Sequence, residues 1–435
     1  MAKNIIEISK EEYEEKILKQ KGIVVLDFYS DECPPCEALA PKYEDMALKY
    51  GHLIKFYKIF RQQNRELATQ LGVNSSPTVI FYQDGKEVGH RLTGGIKKSE
   101  LKAEIQNLLP SEVFAEIEKN QEKKTRTTDV VIIGGGPAGM TAAIYAAQAK
   151  LKTILVDSSL PGGQVKSTHL VSNYPGTGNV VQGWELAHKM ETQTKESGAE
   201  IIGAVDITEI NIANGNGKHS VLVDGELEIQ SDVMILAMGA KPRLINIPGE
   251  IEYAGKGISY CATCDGKYYD GKEVVVIGGG NSAVEESIFL TRFATKVTII
   301  HQFDKLTANA TAIEKALANP KINVIYSSEP RKFEIIESNK MKITLEDMKT
   351  HKSSTLISDG IFIFIGMVPN TSLLNGKIQK DKWGYLVTNE DMETNIPGVY
   401  AVGDIRVKKV RQAATAVGDG CIAAVMSEKY LESEK

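Results

Sequence analysis

Two stretches of this chain repeat one pattern, DVVIIGGGPAGMTAAIYAAQAKLKTILVD from Asp129 and EVVVIGGGNSAVEESIFLTRFATKVTIIHQF from Glu273. Each reads as strand, glycine-rich turn, helix and strand. In the first, Gly134, Gly136 and Gly139 fall in G-x-G-x-x-G register and Pro137-Ala138 open the helix. In the second, Gly278, Gly280 and Ala283 take those places and Asn281-Ser282 open the helix. Such glycines let the backbone approach a pyrophosphate, whose charge the helix N-terminus faces. Asp157 follows the first unit's second strand, 157 − 136 = 21 residues after Gly136, where an acid can hold a ribose hydroxyl. His301 falls at 301 − 280 = 21 in the second unit, so an imidazole, followed by Gln302, replaces that acid. Two dinucleotide sites in one chain imply FAD and a pyridine nucleotide, with electrons passing between them.

At 435 residues the chain exceeds what one core supports, and about three domains are expected. A net charge of -5 gives no reason to expect nucleic acid or an acidic membrane as partner. The N-terminal MAKNIIEISKEEYEEK lacks an apolar signal-peptide core. No uninterrupted apolar run approaches the ~18 residues of a membrane span, so a cytoplasmic protein is expected. Five cysteines are too few for a disulfide framework. In a reducing compartment, the pairs Cys33/Cys36 and Cys261/Cys264 read as catalytic or metal-binding. No further His or Cys stands at ligand spacing beside either pair, which makes zinc the weaker reading and no metal site the expectation.

Before the first repeat, GIVVLDFYS is the apolar run of a buried central strand and carries one acid, Asp27. DECPPC follows, with Pro34 and Pro35 suited to the first turn of a helix. Leu39, Tyr43, Met46, Ala47 and Tyr50 give that helix a buried face, and Pro41 should kink it. TVIFYQDGKEVGHRL reads as a hairpin turning at Asp84-Gly85, and Pro77 at its mouth suits a cis bond. In this order, residues 5–109 resemble thioredoxin, Gly94 included. The resemblance implies that Cys33 attacks a substrate disulfide, that Cys36 resolves the mixed disulfide and that Asp27 accepts the proton of Cys36. Two departures stand out: Glu32 replaces the family's usual Trp and Pro34 its usual Gly. A carboxylate beside the sulfur and a lost N–H both disfavour the thiolate, so a less acidic Cys33 and an altered partner surface are expected. EKNQEKKTRTT is too polar to build a core and reads as a linker, with a short helix at SEVFAEIEK before it.

Between the two glycine turns lies GISYCATCDGKYYDGK. With GGQ at Gly162-Gly163-Gln164, NYPG from Asn173, AMGAKP around Gly239, VYAVGDI with Gly403-Asp404, and RQAATAVGDGC, it makes residues 128–435 resemble bacterial-type low-molecular-weight thioredoxin reductases. The resemblance implies that Cys264 is the flavin-side sulfur, Cys261 the sulfur that attacks the acceptor, and Asp265 the proton donor. It places Asp404 on the ribityl chain of FAD and Arg411, Gln412 and Ala413 at the isoalloxazine edge. Cys421, in the apolar CIAAVM, is assigned to packing. NADPH-dependent members carry HRRxxxR after the second unit's last strand; here His301, Gln302, Phe303 and Thr307 stand there without an arginine. NADH is therefore expected over NADPH, with a ferredoxin-like protein as a further candidate donor.

The expected fold is α/β: a thioredoxin fold followed by two Rossmann-like domains of the thioredoxin reductase type. The expected bounds are 1–109 for thioredoxin, 110–127 for the linker, 128–244 and 369–435 for the FAD-binding domain, and 245–368 for the nucleotide-binding domain. Electrons would pass from nicotinamide to flavin, to Cys261/Cys264, to Cys33/Cys36 and on to protein disulfides. The family's nucleotide domain rotates, which puts hinges near 243–247 and 366–370, and its members are homodimers. A rival is the flavoprotein reductase of a peroxiredoxin, of the alkyl hydroperoxide reductase type, but its doubled N-terminal fold does not fit before residue 128. A second rival is an N-terminal module that docks a client without turnover, against which the intact CxxC argues.

Overall fold

The computed structural model describes residues 4–119, 123–168, 170–213, 217–374 and 376–433. Its N-terminal sheet runs Ile5–Glu7, Ile54–Phe60, Ile23–Tyr29, Thr78–Gln83, Lys86–Thr93, the first three parallel and the last two antiparallel. The apolar run Ile23–Tyr29 lies at its centre because it buries both faces. The helix Pro34–Tyr50 covers one face through Leu39, Tyr43, Met46, Ala47 and Tyr50, with Pro41 inside it. The Ser76-Pro77 bond is cis.

The helix expected at SEVFAEIEK within the linker is present. Helix Ser111–Lys119 lies against the N-terminal module, the Phe114 ring stacked on Tyr50 at 6.0 Å with Ile117 beside it. The next strand starts at Lys124, which leaves residues 120–123 between them.

Strand Lys124–Ile133 enters a seven-stranded sheet with Thr153–Val156, Glu200–Ile202, Leu227–Leu236, His219–Val223, Ile207–Asn211 and, from the far end of the chain, Val399–Ala401. The helices Pro137–Gln148 and Ala413–Ser433 pack together on it through alanines and glycines. The second dinucleotide domain is a five-stranded parallel sheet, in the order Ile258–Ser259, Gly360–Ile363, Glu273–Ile277, Lys296–Ile300, Ile322–Ile325. A three-stranded antiparallel sheet, Ser328–Ile336, Lys340–Asp347 and Ser353–Ser358, packs on it. The chain crosses between the two domains at Ala240–Pro242 and Met367–Pro369, which pair antiparallel. Among the described residues no helix is long and apolar enough to cross a membrane.

Candidate redox and nucleotide sites

Cys33 and Cys36 form a disulfide. Cys33 caps the helix Pro34–Tyr50, its sulfur accepting the Cys36 N–H at 3.3 Å. The sulfur lies 3.5 Å from the Ser76 carbonyl oxygen, so the Pro77 loop stands beside it. Glu32, exposed on the other flank, takes φ 50°. Asp27 is 8% exposed and its Oδ1 has no partner. Burial pushes its carboxyl up to about 7 against the opposing attraction of Lys58.

Cys261 and Cys264 form the second disulfide, with Cys261 capping the short helix Ala262–Asp265 and accepting the Cys264 N–H at 3.2 Å. Ser259 joins this turn to the acid: its hydroxyl donates to Asp265 Oδ2 at 2.6 Å and accepts from Cys261 N–H at 3.1 Å. Gln412 Nε2 donates to Thr263 Oγ1 at 3.0 Å, while Asn173 Nδ2 donates to Gln412 Oε1 at 3.1 Å. The disulfide helix therefore rests on Gln412, a residue assigned to the flavin edge, which Asn173 in turn orients. Ser259 and Thr263 escaped the sequence reading, although Thr263 lies inside CATCD.

In the first glycine turn Gly134 takes φ 107°, and a Cβ on Gly139 would stand 1.9 Å from the Gly134 oxygen. Only glycine permits that approach. Asp157 accepts from Gly135 N–H at 2.5 Å and from Ser159 N–H at 2.7 Å; burial raises its pKa against these donors. A Cβ on Gly403 would lie 3.0 Å from Ala138 Cβ, so the Gly403-Asp404 turn meets the head of helix Pro137–Gln148. Gly162 and Gly163 both take positive φ, and Gln164 Nε2 binds the Ala240 carbonyl. Gly239 accepts from Asn370 N–H at 3.0 Å, at the crossing between domains. Asp404 Oδ1 and Arg411 Nε are buried without partners, and the Arg411 guanidinium lies 4.2 Å from the Tyr385 ring centroid. Unsatisfied buried polar atoms beside a glycine cradle fit a polar cofactor such as FAD. Asp419, missed in the sequence, accepts Gly403 N–H at 3.0 Å and Lys408 Nζ at 2.9 Å and so fixes this turn.

The second turn repeats the first with an imidazole. A Cβ on Gly135 would meet Asp157 Oδ2 at 2.8 Å; one on Gly279 would meet His301 Nδ1 at 2.4 Å. His301 thus occupies the acid's place, 6% exposed, with Nε2 lacking a partner. Burial lowers its pKa, which keeps the ring neutral. Thr307 N–H to Gly279 O at 2.8 Å and Asn309 N–H to Asn281 Oδ1 at 2.7 Å tie the following loop to the turn. Gln302 and Phe303 project outward from that loop, and Ser282 is exposed at the helix head. Among the described residues no cluster of three or more His, Cys, Asp or Glu could hold a metal ion. Cys421 is free and half-buried on the helix Ala413–Ser433.

Two glycine turns and a cysteine pair on one scaffold define a dinucleotide-dependent disulfide reductase, here joined to a thioredoxin module. The family described as pyridine nucleotide-disulphide oxidoreductase matches residues 128–420, and thioredoxin matches residues 4–107. The chain belongs to the pyridine nucleotide-disulphide oxidoreductase family, as a thioredoxin reductase-type module with a thioredoxin domain fused at its N-terminal side. It is 44% identical over 310 residues to a thioredoxin reductase of Peptoclostridium acidaminophilum, covering 70% of this chain and 97% of the relative. The Bacillus subtilis thioredoxin reductase is 43% identical over 305 residues, 70% of this chain and 95% of that one. The crystal structure of thioredoxin reductase from Streptococcus pyogenes aligns with a TM-score of 0.66 at 39% identity, covering 71% of this chain and 99% of that one. The family implies FAD and a pyridine nucleotide as cofactors.

Proposed function

We propose that this chain reduces protein disulfides through its own thioredoxin module. The observation that carries the reading is that both cysteine pairs are disulfides with the same geometry, the first cysteine capping a helix and accepting the second one's N–H. When bound across the first glycine turn and Asp404, FAD would supply the two-electron link between a reduced donor and Cys261–Cys264. The chain's own chemistry is then thiol exchange. The Cys261 thiolate attacks Cys33 Sγ, breaking Cys33–Cys36 and releasing Cys36 as thiolate. Cys264 then attacks Cys261 Sγ, re-forming Cys261–Cys264 and freeing Cys33. Two electrons move and Cys33 and Cys36 take up two protons. Asp27, buried on the strand that precedes the Cys33 turn, is the group that accepts the Cys36 proton in the next exchange with a client, while Asp265, held by Ser259, serves the other pair. The test is Cys36→Ser: flavin reduction should persist, turnover of a protein disulfide should stop, and mixed disulfides with clients, a peroxiredoxin among the candidates, should accumulate on Cys33. Unchanged turnover refutes the relay.

The donor proposed is NADH. His301 and Gln302 offer hydrogen-bonding partners for a 2′-hydroxyl, whereas the loop through Asn309 offers a 2′-phosphate no guanidinium. Each missing charge-assisted bond should cost tenfold or more in NADPH affinity, from roughly 1.5 to 3 kcal/mol. A kcat/KM favouring NADPH refutes this; Gln302→Arg with Phe303→Arg should move preference toward it. If neither nucleotide bleaches the flavin, a ferredoxin-like donor takes its place, since the acid that usually holds a ribose hydroxyl is missing at position 301. The domain bounds expected from the sequence, a homodimer and a cytoplasmic location complete the proposal.

A further inference from the structure

The thioredoxin module lies against the first dinucleotide domain along the flank of its active-site helix. Lys42, on that helix, is 7% exposed. Its ammonium donates to Ile96 O at 3.1 Å within its own module, and to Gly203 O at 3.0 Å and Ala204 O at 2.7 Å in the neighbouring domain. Two of its three acceptors thus exist only while the modules are together. Burial pulls its pKa down to about 8 against the attraction of Asp224, Glu100 and Asp206, and its three carbonyl partners are acceptors only, which suits the charged form. A lysine is rarely enclosed this way unless fully hydrogen-bonded, because its desolvation must be offset.

Ion pairs extend the contact at both ends. Glu37 meets Lys195 at 2.8 Å, and Lys97 meets Asp206 at 2.8 Å. Lys98 bridges Asp45, at 2.5 Å, to Glu226, which also takes Lys102. Gly95 packs its backbone on Leu160, where a Cβ would stand 3.1 Å from Cγ. Beyond Glu37 a cleft of about 270 Å³ opens between the modules, lined by Glu32, Pro34 and Pro35 on one side and by Lys166 and Trp184 on the other, so the contact seats the helix flank while the residues beside Cys33 border a gap.

We propose that this contact is a working dock, latched by Lys42, which holds the thioredoxin module in place while Cys261 reaches Cys33 of the same chain. The inference rests on the relay proposed above and adds that the module receives electrons without leaving its neighbour. The short connection fits: from Lys119 to Lys124 there are five residue steps, at most about 18 Å when fully extended. Lys42 is a positioning residue here and touches neither disulfide.

The test compares the full chain with Lys42→Met, which keeps the stem and removes the donors, and with Glu226→Gln at the other end of the dock. Hydrogen exchange at 203–206 and along the active-site helix reads docking as the difference between wild type and variants, because the Ala204, Val205 and Asp206 N–H groups are also bonded within their own domain. Transfer is read after anaerobic reduction with one equivalent of dithionite, by alkylation and mass spectrometry of Cys33 and Cys36 against time. The wild type should show protected amides at 203–206 and a transfer rate independent of protein concentration. Lys42→Met should lose that protection and transfer roughly ten- to a hundredfold more slowly, the share expected for lost hydrogen bonds to a charged group. Its flavin reduction, and reduction of its Cys33–Cys36 by dithiothreitol, should stay at wild-type rates, which a folding defect would not leave untouched. Glu226→Gln should move both readouts in the same direction. Protection at 203–206 that is the same in wild type and variants, or wild-type transfer in variants that have lost protection, overturns the dock. Reduced Cys261/Cys264 with no thiol ever appearing at Cys33 overturns the relay itself, and is distinct because the exchange pattern is read separately.

Discussion

Replacing Asp27 by asparagine should remove much of the pH dependence of the N-terminal module's stability. In the folded module burial raises the carboxyl from 3.8 to about 7, with Lys58 opposing. Tyr29 and Tyr43, on which Asp27 acts, are both pushed above their ordinary values and stay neutral throughout. Between those two pKa values the native state keeps a proton that the unfolded chain releases, so stability is greatest below about 3.8, falls as pH rises and levels off above about 7. From about pH 5 to 7 that fall is two units, about 2.7 kcal/mol or a hundredfold in the opening equilibrium. Asparagine has no such titration. Its amide would sit where Asp27 Oδ1 now has no partner, an offset of about 1 to 3 kcal/mol that is the same at every pH. The assay is hydrogen exchange of the Ile23–Tyr29 amides in the full chain at about pH 5 and 8, corrected for intrinsic rates. The difference between variant and wild type should grow by about 2.7 kcal/mol in the variant's favour. A difference that stays constant would mean that Asp27 does not hold its proton in the folded module, and the argument would fail.

Full-length protein should outpace an equimolar mixture of its separated halves at low micromolar concentration, because tethering supplies an effective concentration on the order of millimolar; equal insulin-reduction rates would contradict this. Ser259→Ala removes the hydroxyl that donates to the Asp265 carboxylate and should slow reduction of Cys261–Cys264 about tenfold, the weight of one charge-assisted hydrogen bond, measured by stopped flow. Gly139→Ala places a methyl 1.9 Å from the Gly134 oxygen and should purify without flavin absorbance; a yellow variant would place the cofactor elsewhere.

The glycine turns were legible because their chemistry is local: a strand, three positions and an acid at fixed spacing. Even the substitution of His301 for an acid could be counted out, and its ring meets Gly279 where the Asp157 carboxylate meets Gly135. Lys42 was not legible. In sequence it interrupts an apolar stripe and reads as a solvated side chain, since its acceptors lie 161 and 162 residues away. The helix at SEVFAEIEK was legible, but not the seating of Phe114 and Ile117 on the N-terminal module, which depends on the folded position of Tyr50. Asp419 stabilises a turn 16 residues back through a backbone N–H, and no spacing rule announces that.

The first dinucleotide domain holds both disulfide carriers, and the two grips differ in strength. The Cys261–Cys264 helix is held at Thr263 by a neutral hydrogen bond from Gln412, a partly exposed contact worth about 0.5 to 1.5 kcal/mol. The thioredoxin module is held by a buried ammonium on two carbonyls and by the ion pairs of Lys98 and Lys102 with Glu226, largely removed from water, where hydrogen bonds to charge contribute about 1.5 to 3 kcal/mol each before desolvation is counted. The second domain is joined by two chain crossings that pair as a ribbon at Ala240–Pro242 and Met367–Pro369, a connection that can bend without breaking a core. The weaker grip and the bendable connection belong to the same part. Under the relay and the dock proposed here, that part is the one to move, and the module with Cys33 is the fixed station it moves to.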